Sequence, residues 1–187
     1  MRILVVCTAN VCRSPMAAAF LQKHLAAGHI GARVRSAGTH AGTIDTDPDA
    51  VWAMKRHGID INTHLPRLLT RTILANEGAD LVITMTREQL RAVAVMGEGA
   101  FVRAFTVREL ARRVFPMRSG ESAGDTSVQA WLHAVSVGRN RRDLIGDDPD
   151  DDVVDSYGLS PAAHLATAAQ LDQCTADITR ALSMWSG

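Results

Sequence analysis

Residues 1–15 read MRILVVCTANVCRSP, and this stretch decides the fold. The apolar run Ile3–Val6 is rich in β-branched residues and too short for a helix, so it predicts a buried parallel strand that stops at Cys7. Ser14 is predicted as the N-cap of the helix that follows, with Pro15 at the first helical position. The stretch therefore predicts a strand, a tight loop and a helix N-terminus in immediate succession.

The loop from Cys7 to Ser14 is suited to binding an anion. Backbone N–H groups converge where a strand, a loop and a helix N-terminus meet, and the helix dipole favours negative charge there. A thiol in this position, close to the Arg13 guanidinium, is expected to be a thiolate at neutral pH. Arg13 also offers a planar fork of donors that matches two oxygens of a phosphoryl group. Cys7, as nucleophile, and Arg13, as cation, are therefore predicted to contact the same tetrahedral oxyanion.

The rest of the chain alternates predicted strands and helices, which indicates right-handed crossovers and a parallel sheet covered on both faces. The first helix keeps an apolar face on Met16, Phe20, Leu21 and Leu25 and ends at Gly28. The later predicted strands are Val34–Ala37, Leu81–Met85 and Val102–Thr106. The later predicted helices are about Asp49–His57, Thr70–Asn76, Arg87–Met96, Val107–Val114, Val128–Val137 and Pro161–Met184.

Composition and charge narrow the class of protein. The chain has 187 residues, 47% of them hydrophobic, which is enough for one domain with a core. Lys plus Arg and Asp plus Glu each number 20, so nothing indicates nucleic acid or an acidic membrane surface as a partner. No apolar run has membrane-spanning length and the N-terminus does not resemble a signal peptide, so we expect no membrane insertion and a cytoplasmic location. The odd count of 3 cysteines agrees with a reducing compartment.

The segment Val5–Pro15 resembles the signature loop of the low-molecular-weight protein tyrosine phosphatases. This resemblance implies the α/β fold of that family, a four-stranded parallel sheet flanked by helices on both faces, with the phosphate-binding loop after the first strand. It implies a single domain over residues 1–187. The stretch at about residues 116–146 is predicted to be an insertion relative to the compact members of the family.

The resemblance also implies roles for individual residues. Cys7 would be the nucleophile and Arg13 the phosphate clamp, while Ser14 would donate a hydrogen bond to the Cys7 sulfur. Ser36 and His64 would hydrogen-bond the loop asparagine and hold it in a strained backbone conformation. The residues implied to bind the substrate are Thr8, Ala9, Asn10, Val11, Cys12 and Ser14 of the loop, with Tyr157 as one wall of the pocket.

Asp155 is the general acid and base that the resemblance implies. The stretch 155–158, DSYG, stands where the family carries an Asp-Pro-Tyr or Asp-Pro-Phe loop shortly before the last helix. Asp148, which is followed by Pro149, is the competing candidate. Serine at position 156 lacks the stiffness of proline, so a looser acid loop and a lower turnover are expected. Residues 150–152, all aspartate, are expected to form a solvated acidic loop.

The sequence therefore predicts a cysteine-dependent phosphatase, that is, a phosphoric monoester hydrolase. The Cys7 thiolate would attack phosphorus in line and form a phosphocysteine, and water activated by Asp155 would hydrolyse it. The expected partners are a phosphorylated protein or a small phosphomonoester, with inorganic phosphate as product and inhibitor. No cofactor and no metal are expected, because the histidines show no paired ligand spacing.

Three alternative functions differ from this one in the residues that they require. Superfamily members that act on phosphoarginine carry threonine where this chain has Val11, so Val11 favours phosphotyrosine or another phosphomonoester over a protein-arginine phosphatase. A non-catalytic phosphopeptide-binding pseudo-phosphatase is the alternative if the acid loop is compromised. An arsenate reductase is disfavoured, because that reaction uses two further cysteines in the middle of the chain and none lies between Arg13 and Gln173.

Two features each keep two interpretations. Cys12 either forms a reversible disulfide with Cys7 or fills space beneath the loop. Arginines around the predicted insertion form either a solvated helix face or a docking surface for a phosphorylated or acidic partner. These arginines are Arg103, Arg108, Arg112, Arg113, Arg118, Arg139, Arg141 and Arg142. Trp52 is predicted to be a core residue, since it falls inside a predicted helix.

Overall fold

The computed structural model describes residues 1–40, 45–78, 80–115 and 127–186. Its centre is a four-stranded parallel sheet with the strand order β2-β1-β3-β4. The strands are β1 (Arg2–Cys7), β2 (Arg33–Gly38), β3 (Leu81–Thr84) and β4 (Ala104–Thr106). Because β1 is an inner strand, Cys7 leaves the sheet at the middle of its carboxyl edge. The predicted fold class is confirmed.

The helices lie on both faces of the sheet, as predicted. They are α1 (Arg13–Ala27), α2 (Pro48–Arg56), α3 (Arg71–Glu77), α4 (Arg87–Met96), α5 (Val107–Val114), α6 (Val128–Ser136) and α7 (Pro161–Ser186). Among the described residues, none of the helices has both the length and the apolar character that crossing a bilayer requires.

Alternation along β1 divides the core into two layers. Successive strand residues point to opposite faces, so Ile3 and Val5 join one cluster and Leu4 and Val6 the other. The first cluster contains apolar residues of α1, α2, α5, α6 and α7, including the four predicted face residues of α1. The second cluster is built with Leu74 of α3 and with residues of α4. Burial on both sides explains why the strand is apolar at every position from Ile3 to Val6.

The start of α1 differs from the prediction. The helix begins at Arg13, its N-cap residue is Cys12, and no side chain caps it. The predicted N-cap role of Ser14 is therefore wrong, because the Ser14 hydroxyl lies against the Cys7 sulfur. Pro15 is the third residue of the helix, where its missing N–H costs no intrahelical hydrogen bond.

Of two further local predictions, the strand Val102–Thr106 is right only over Ala104–Thr106, and the core position of Trp52 is wrong. The predicted strand Val102–Thr106 is a 3₁₀ turn over Ala100–Arg103 followed by the short β4. Gly99, with φ at 69°, is the N-cap residue of this 3₁₀ turn. Trp52 lies within α2 but on the outer face of the helix, where it is 41% exposed and the Arg56 guanidinium stands over its ring.

The part of the predicted insertion that is described contributes to the core. Residues 116–126 lie outside the described residues. Helix α6 buries Trp131 and Val135 in the first core cluster. Arg139 is also buried, with its guanidinium 4.0 Å from the ring centroid of Phe105 and 2.7 Å from the Glu109 carboxylate. The single-domain assignment and the boundaries of the insertion stay predictions.

Candidate active site

The nucleophile loop, residues 7–14, joins the end of β1 to the first turn of α1. Cys7 is buried, and the backbone N–H of Asn10 donates to its sulfur at 3.2 Å. The Ser14 hydroxyl lies 2.9 Å from the same sulfur. Two short polar contacts to one sulfur at a helix N-terminus favour negative charge on that atom. The loop therefore lies where the strand-loop-helix pattern places it, and the role of Cys7 as nucleophile stays a prediction.

Asn10 holds the turn of the loop in a left-handed conformation, with φ at 60°. Its amide nitrogen donates to the hydroxyl of Ser36 at 2.9 Å and to that of Ser14 at 2.8 Å. Its amide oxygen accepts from the backbone N–H of Arg67, and its backbone carbonyl accepts from Nε2 of His64 at 2.9 Å. The contacts expected from Ser36 and His64 are present. They oppose the backbone strain of a non-glycine residue at positive φ.

The hydrogen bond to Asn10 also defines the state of His64. A carbonyl oxygen only accepts, so Nε2 of His64 must carry the proton. Burial lowers the pKa of His64, with a smaller contribution from the Arg67 charge, and together they outweigh the hydrogen bond to Asn10, which raises it. The neutral imidazole is therefore the form that supports the loop near neutral pH.

Sequence reasoning missed three residues that shape the loop. Gly38 ends β2, and a Cβ there would come within 2.5 Å of the Thr8 carbonyl oxygen, so only glycine leaves room for the loop backbone. Arg67 donates from Nε to the Ser36 carbonyl in addition to holding Asn10. Gln89 donates to the Thr8 hydroxyl at 3.1 Å. Gly38 follows the predicted strand Val34–Ala37 directly, and a glycine at a strand end could have indicated a close backbone approach, whereas Arg67 and Gln89 belong to no motif.

Arg13 connects the nucleophile loop to Asp155. Its buried guanidinium donates from Nη2 to Oδ2 of Asp155 at 2.5 Å. It also donates to the Val153 carbonyl and, at 3.4 Å, to the Thr8 hydroxyl. Asp148, the competing acid, instead pairs with Arg87 at 3.3 Å. The structure thus places Asp155, and not Asp148, against the nucleophile loop.

A cavity of about 470 Å³ opens beside this ion pair. Its lining includes Thr8, Arg13, Gln89 and Asp155. A larger cavity of about 830 Å³ lies elsewhere, between α1 and residues 58–67, and its lining contains neither Arg13 nor Asp155. We therefore take the smaller cavity as the candidate substrate site, because it is the one that borders Arg13 and Asp155.

The remaining predicted substrate contacts divide into buried and exposed residues. Val11 and Cys12 are buried, and Ala9 packs against the first core cluster. Tyr157 is 51% exposed and its backbone N–H donates to Oδ1 of Asp155, so this residue orients the acid through its backbone. Of the loop residues between Cys7 and Arg13, Thr8 lines the smaller cavity, and substrate binding by the loop stays a prediction.

Ser156 connects the acid segment to the nucleophile loop. Its side chain is fully buried, and its hydroxyl lies 3.1 Å from the Cys12 sulfur. The loose attachment expected from the missing proline is thus countered by an added contact. Burial raises the pKa of the Cys12 thiol to about 12, although the Ser156 hydrogen bond lowers it in part. Cys12 is therefore a protonated thiol at neutral pH, which favours its packing role over an easily oxidised one.

The acid loop, residues 147–158, is held by arginines from α4 and α5. Asp151 is buried and accepts hydrogen bonds from Nε of Arg87 at 2.7 Å and from Arg112. Burial by itself would raise the pKa of Asp151, but the hydrogen bonds and charges of Arg112 and Arg87 outweigh it and the pKa lies below its usual value. The expectation that residues 150–152 form a solvated loop is wrong for Asp151, because two guanidiniums compensate its buried charge.

The arginines around the insertion have acceptors within the chain. Arg108 donates to the carbonyls of Pro149 and Asp152 at 2.7 and 2.8 Å. Arg113 and Arg139 both pair with Glu109. Arg118 lies outside the described residues. Neither a solvated face nor a docking surface describes Arg108, Arg113 and Arg139, which instead hold the acid loop and the core.

Comparison with known proteins agrees with this geometry. The family model described as low molecular weight phosphotyrosine protein phosphatase matches residues 2–116. A probable low molecular weight protein-tyrosine-phosphatase, EpsP of Ralstonia nicotianae, is 42% identical over 92 residues, which cover 49% of this chain and 59% of that protein. The match thus spans less than two thirds of the length of that relative. The protein-arginine-phosphatase of Bacillus subtilis is 36% identical over 110 residues, which cover 58% of this chain and 71% of that protein.

Structural similarity extends further along the chain than sequence similarity. The solution structure of a low molecular weight protein tyrosine phosphatase from Bacillus subtilis superposes with a TM-score of 0.70 at 25% identity. This match covers 97% of this chain and 97% of that one. The similarity therefore includes the segment beyond residue 116, which contains the acid loop and α7.

Proposed function

The chain belongs to the low molecular weight phosphotyrosine protein phosphatase family, and we propose that it hydrolyses phosphotyrosine or a related phosphomonoester through a phosphocysteine intermediate. The observation that carries the proposal is the contact between Arg13 of the nucleophile loop and Asp155, which are far apart in the chain. This contact supports a site composed of the Cys7 sulfur, the Arg13 guanidinium and the Asp155 carboxyl group. Phosphoryl transfer to cysteine needs these three groups.

In the first proposed step, Cys7 Sγ attacks phosphorus in line with the leaving oxygen. The sulfur-phosphorus bond forms, the bond from phosphorus to the leaving oxygen breaks, and the Asp155 carboxyl group gives its proton to that oxygen. In the second step, the Asp155 carboxylate takes a proton from water, whose oxygen attacks phosphorus and expels the Cys7 thiolate. The contacts of Asn10 N–H and Ser14 with the sulfur support it both as nucleophile and as leaving group.

Arg13 has two tasks in this proposal. Its Nη2 contacts Asp155, and its position at the start of α1 lets the guanidinium fork bind two phosphoryl oxygens. A substrate phosphate would compete with Asp155 for these donors. Substrate binding would thereby release the carboxyl group from Arg13 at the place where the leaving oxygen is protonated.

Val11 favours a phosphomonoester over phosphoarginine as the substrate. This residue has no hydroxyl to contribute to the loop, and its side chain is buried. A site that discriminates through a hydroxyl needs that group, so a valine favours an aryl or alkyl phosphomonoester over phosphoarginine. The relatives include both tyrosine and arginine phosphatases, so their names do not decide between the two substrates.

Steady-state hydrolysis of phosphotyrosine and phosphoarginine peptides tests the proposal, with mass detection of the phosphocysteine. We expect turnover of phosphotyrosine by the wild type, no turnover by Cys7→Ser, and unchanged turnover by the matched control Cys174→Ser. Binding of phosphopeptide by the wild type without turnover of either substrate would replace the proposal by a phosphopeptide-binding pseudo-phosphatase. Faster turnover of phosphoarginine would assign the chain to the arginine phosphatases.

We also infer a cytoplasmic location and inhibition by inorganic phosphate. The thiols of Cys7, Cys12 and Cys174 are free, which suits a reducing compartment. Inorganic phosphate has the tetrahedral oxygens that the loop and Arg13 are suited to bind. It should therefore act as a competitive inhibitor.

A further inference from the structure

Three potential metal ligands from distant parts of the chain meet beside the nucleophile loop. They are the Cys12 sulfur, the carboxylate of Asp47 at the N-cap of α2, and the imidazole of His164 in the first turn of α7. One ligand atom from each lies within 4.8 Å of the others. All three side chains are buried, so the cluster is not an acidic patch on the surface.

His164 presents an unpartnered nitrogen to this cluster. Its Nδ1 lies 3.1 Å from the Ser160 carbonyl, which only accepts, so Nδ1 carries a proton. Its Nε2 is buried without a hydrogen-bond partner among the described residues. In the neutral imidazole, Nε2 then has a free lone pair. A histidine fixed through one nitrogen by a backbone carbonyl, with the other nitrogen free, is the usual arrangement of a metal-binding histidine.

Asp47 is oriented through its Oδ1 atom, and its Oδ2 atom is available to bind a metal. Its Oδ1 accepts the backbone N–H groups of Asp49 and Ala50 at 2.8 and 3.2 Å and so caps α2. Its Oδ2 lies 3.4 Å from Nε2 of His164. Two such acceptors repel each other unless a cation or a proton lies between them. Their separation fits the ligand-to-ligand edge of a tetrahedral zinc site, which is roughly 3.4 Å for bonds of about 2.0–2.2 Å.

We propose that Cys12, Asp47 and His164 bind a thiophilic divalent cation of the Zn²⁺ class. Sulfur, imidazole nitrogen and carboxylate oxygen form a donor set that suits Zn²⁺ or Co²⁺ and does not suit Mg²⁺ or Ca²⁺. Binding exchanges the thiol proton of Cys12 for a sulfur-metal bond and releases the proton to solvent. The cation would join the nucleophile loop, α2 and α7, and it would occupy the Cys12 sulfur.

The proposal is independent of the phosphatase activity, and its test is designed to keep the two apart. The experiment is a Co²⁺ titration of chelator-treated Cys7→Ser protein, in which the nucleophile cannot supply a thiolate. We expect a sulfur-to-cobalt charge-transfer band, its loss on addition of Zn²⁺, and a rise in Tm with Zn²⁺. Adding Cys174→Ser, the matched control, should leave the band unchanged.

The ligand variants complete the test. Within the Cys7→Ser background, Cys12→Ser should abolish the band, and His164→Gln should weaken Co²⁺ binding by about tenfold or more. Far-UV circular dichroism reports whether each variant is folded, and His164→Gln keeps the test valid if Cys12→Ser unfolds. No band and no Zn²⁺-dependent rise in Tm in folded Cys7→Ser protein would overturn the proposal. The cluster would then be a buried packing contact without a metal.

Discussion

The nucleophile loop and the acid loop face each other across Arg13, but they are held in different ways. The nucleophile loop spans the few residues between a strand end and a helix start, so its two ends are fixed by regular structure. The acid loop lies outside helices and strands and is held by Arg87, Arg91, Arg108 and Arg112. Both loops also contact distant parts of the chain, but the contacts differ in kind: Asn10 of the nucleophile loop is held by neutral hydrogen bonds, and the acid loop is held by charged arginine side chains.

This difference has consequences for stability. Hydrogen bonds between charged groups are stronger than neutral ones, and the buried Asp151 is poorly screened by salt. The acid loop should therefore respond to pH and to the loss of a single carboxylate. The nucleophile loop should respond mainly to changes in shape and in hydrogen-bond donors.

The largest expected effect comes from Arg13→Lys, at the junction of the two loops. A single ammonium group cannot contact Thr8, Val153 and Asp155 together, nor bind two phosphoryl oxygens as a fork does. We expect kcat for para-nitrophenyl phosphate to fall on the order of 10³-fold. Arg108→Lys, which replaces a guanidinium that donates to two carbonyls of the acid loop, should change kcat by less than about tenfold. Equal losses in both variants would contradict a special role for Arg13.

The next largest effect is expected from Asp155→Asn, which tests whether Asp155 transfers a proton or only supports the acid loop. We expect Asp155→Asn to slow hydrolysis of phosphotyrosine peptide by about 10²-fold, because asparagine cannot protonate the leaving oxygen. The loss with para-nitrophenyl phosphate should be much smaller, since that leaving group needs little protonation. Asp148→Asn is the matched control and should not alter the dependence on leaving group. The opposite outcome for the two variants would move the acid to Asp148.

Asp151→Asn tests the arginine contacts of the acid loop. Asparagine leaves Arg87 and Arg112 without their shared carboxylate, so we expect the free energy of unfolding at pH 7 to fall by about 2 kcal/mol. The loop should also position Asp155 less well, and kcat should fall by about tenfold with little change in KM. Asp150→Asn, an exposed neighbour, should leave both values almost unchanged.

We expect the effect of Asp151→Asn on the free energy of unfolding to depend on pH. The pKa of Asp151 is lowered in the folded protein, so its contribution to stability is present above the unfolded value of about 3.9 and is lost as pH falls through the folded value. Urea unfolding of wild type and Asp151→Asn should give curves that differ at pH 7 and approach each other below about pH 4. A constant difference over this range would show that packing, and not charge, holds the loop.

Ser156→Ala should have the smallest effect. It removes the hydroxyl that lies against the Cys12 sulfur but leaves the backbone and most of the packing in place. We expect a loss of about 1 kcal/mol or less in the free energy of unfolding and a change in kcat of less than about threefold. A loss of tenfold or more would show that direct contact between the loops, and not the arginines, positions Asp155.

The site was predictable where its parts are close in sequence or belong to a motif. Cys7 and Arg13 follow from a strand end and a helix start, and Asp155 followed from resemblance to a family. The contacts of Ser36 and His64 with Asn10 followed from the same resemblance. The role of Gly38 was missed, and nothing in the local sequence indicated Arg67 or Gln89, since their partners lie far along the chain.

The sequence by itself determined the apolar strands, the two-sided burial of β1, the apolar face of α1 and the strand-loop-helix turn that carries Cys7. These features depend on periodicity and on neighbours within a few residues, so they are visible in the linear chain. The family resemblance already implied the contact of Ser14 with the Cys7 sulfur, but only the tertiary structure decided that no side chain caps α1 and that Asp151 is buried between arginines. The tertiary structure also decided that Cys12, Asp47 and His164 meet. Such contacts join residues from separate elements, and their energies depend on burial and distance, which the order of residues does not specify.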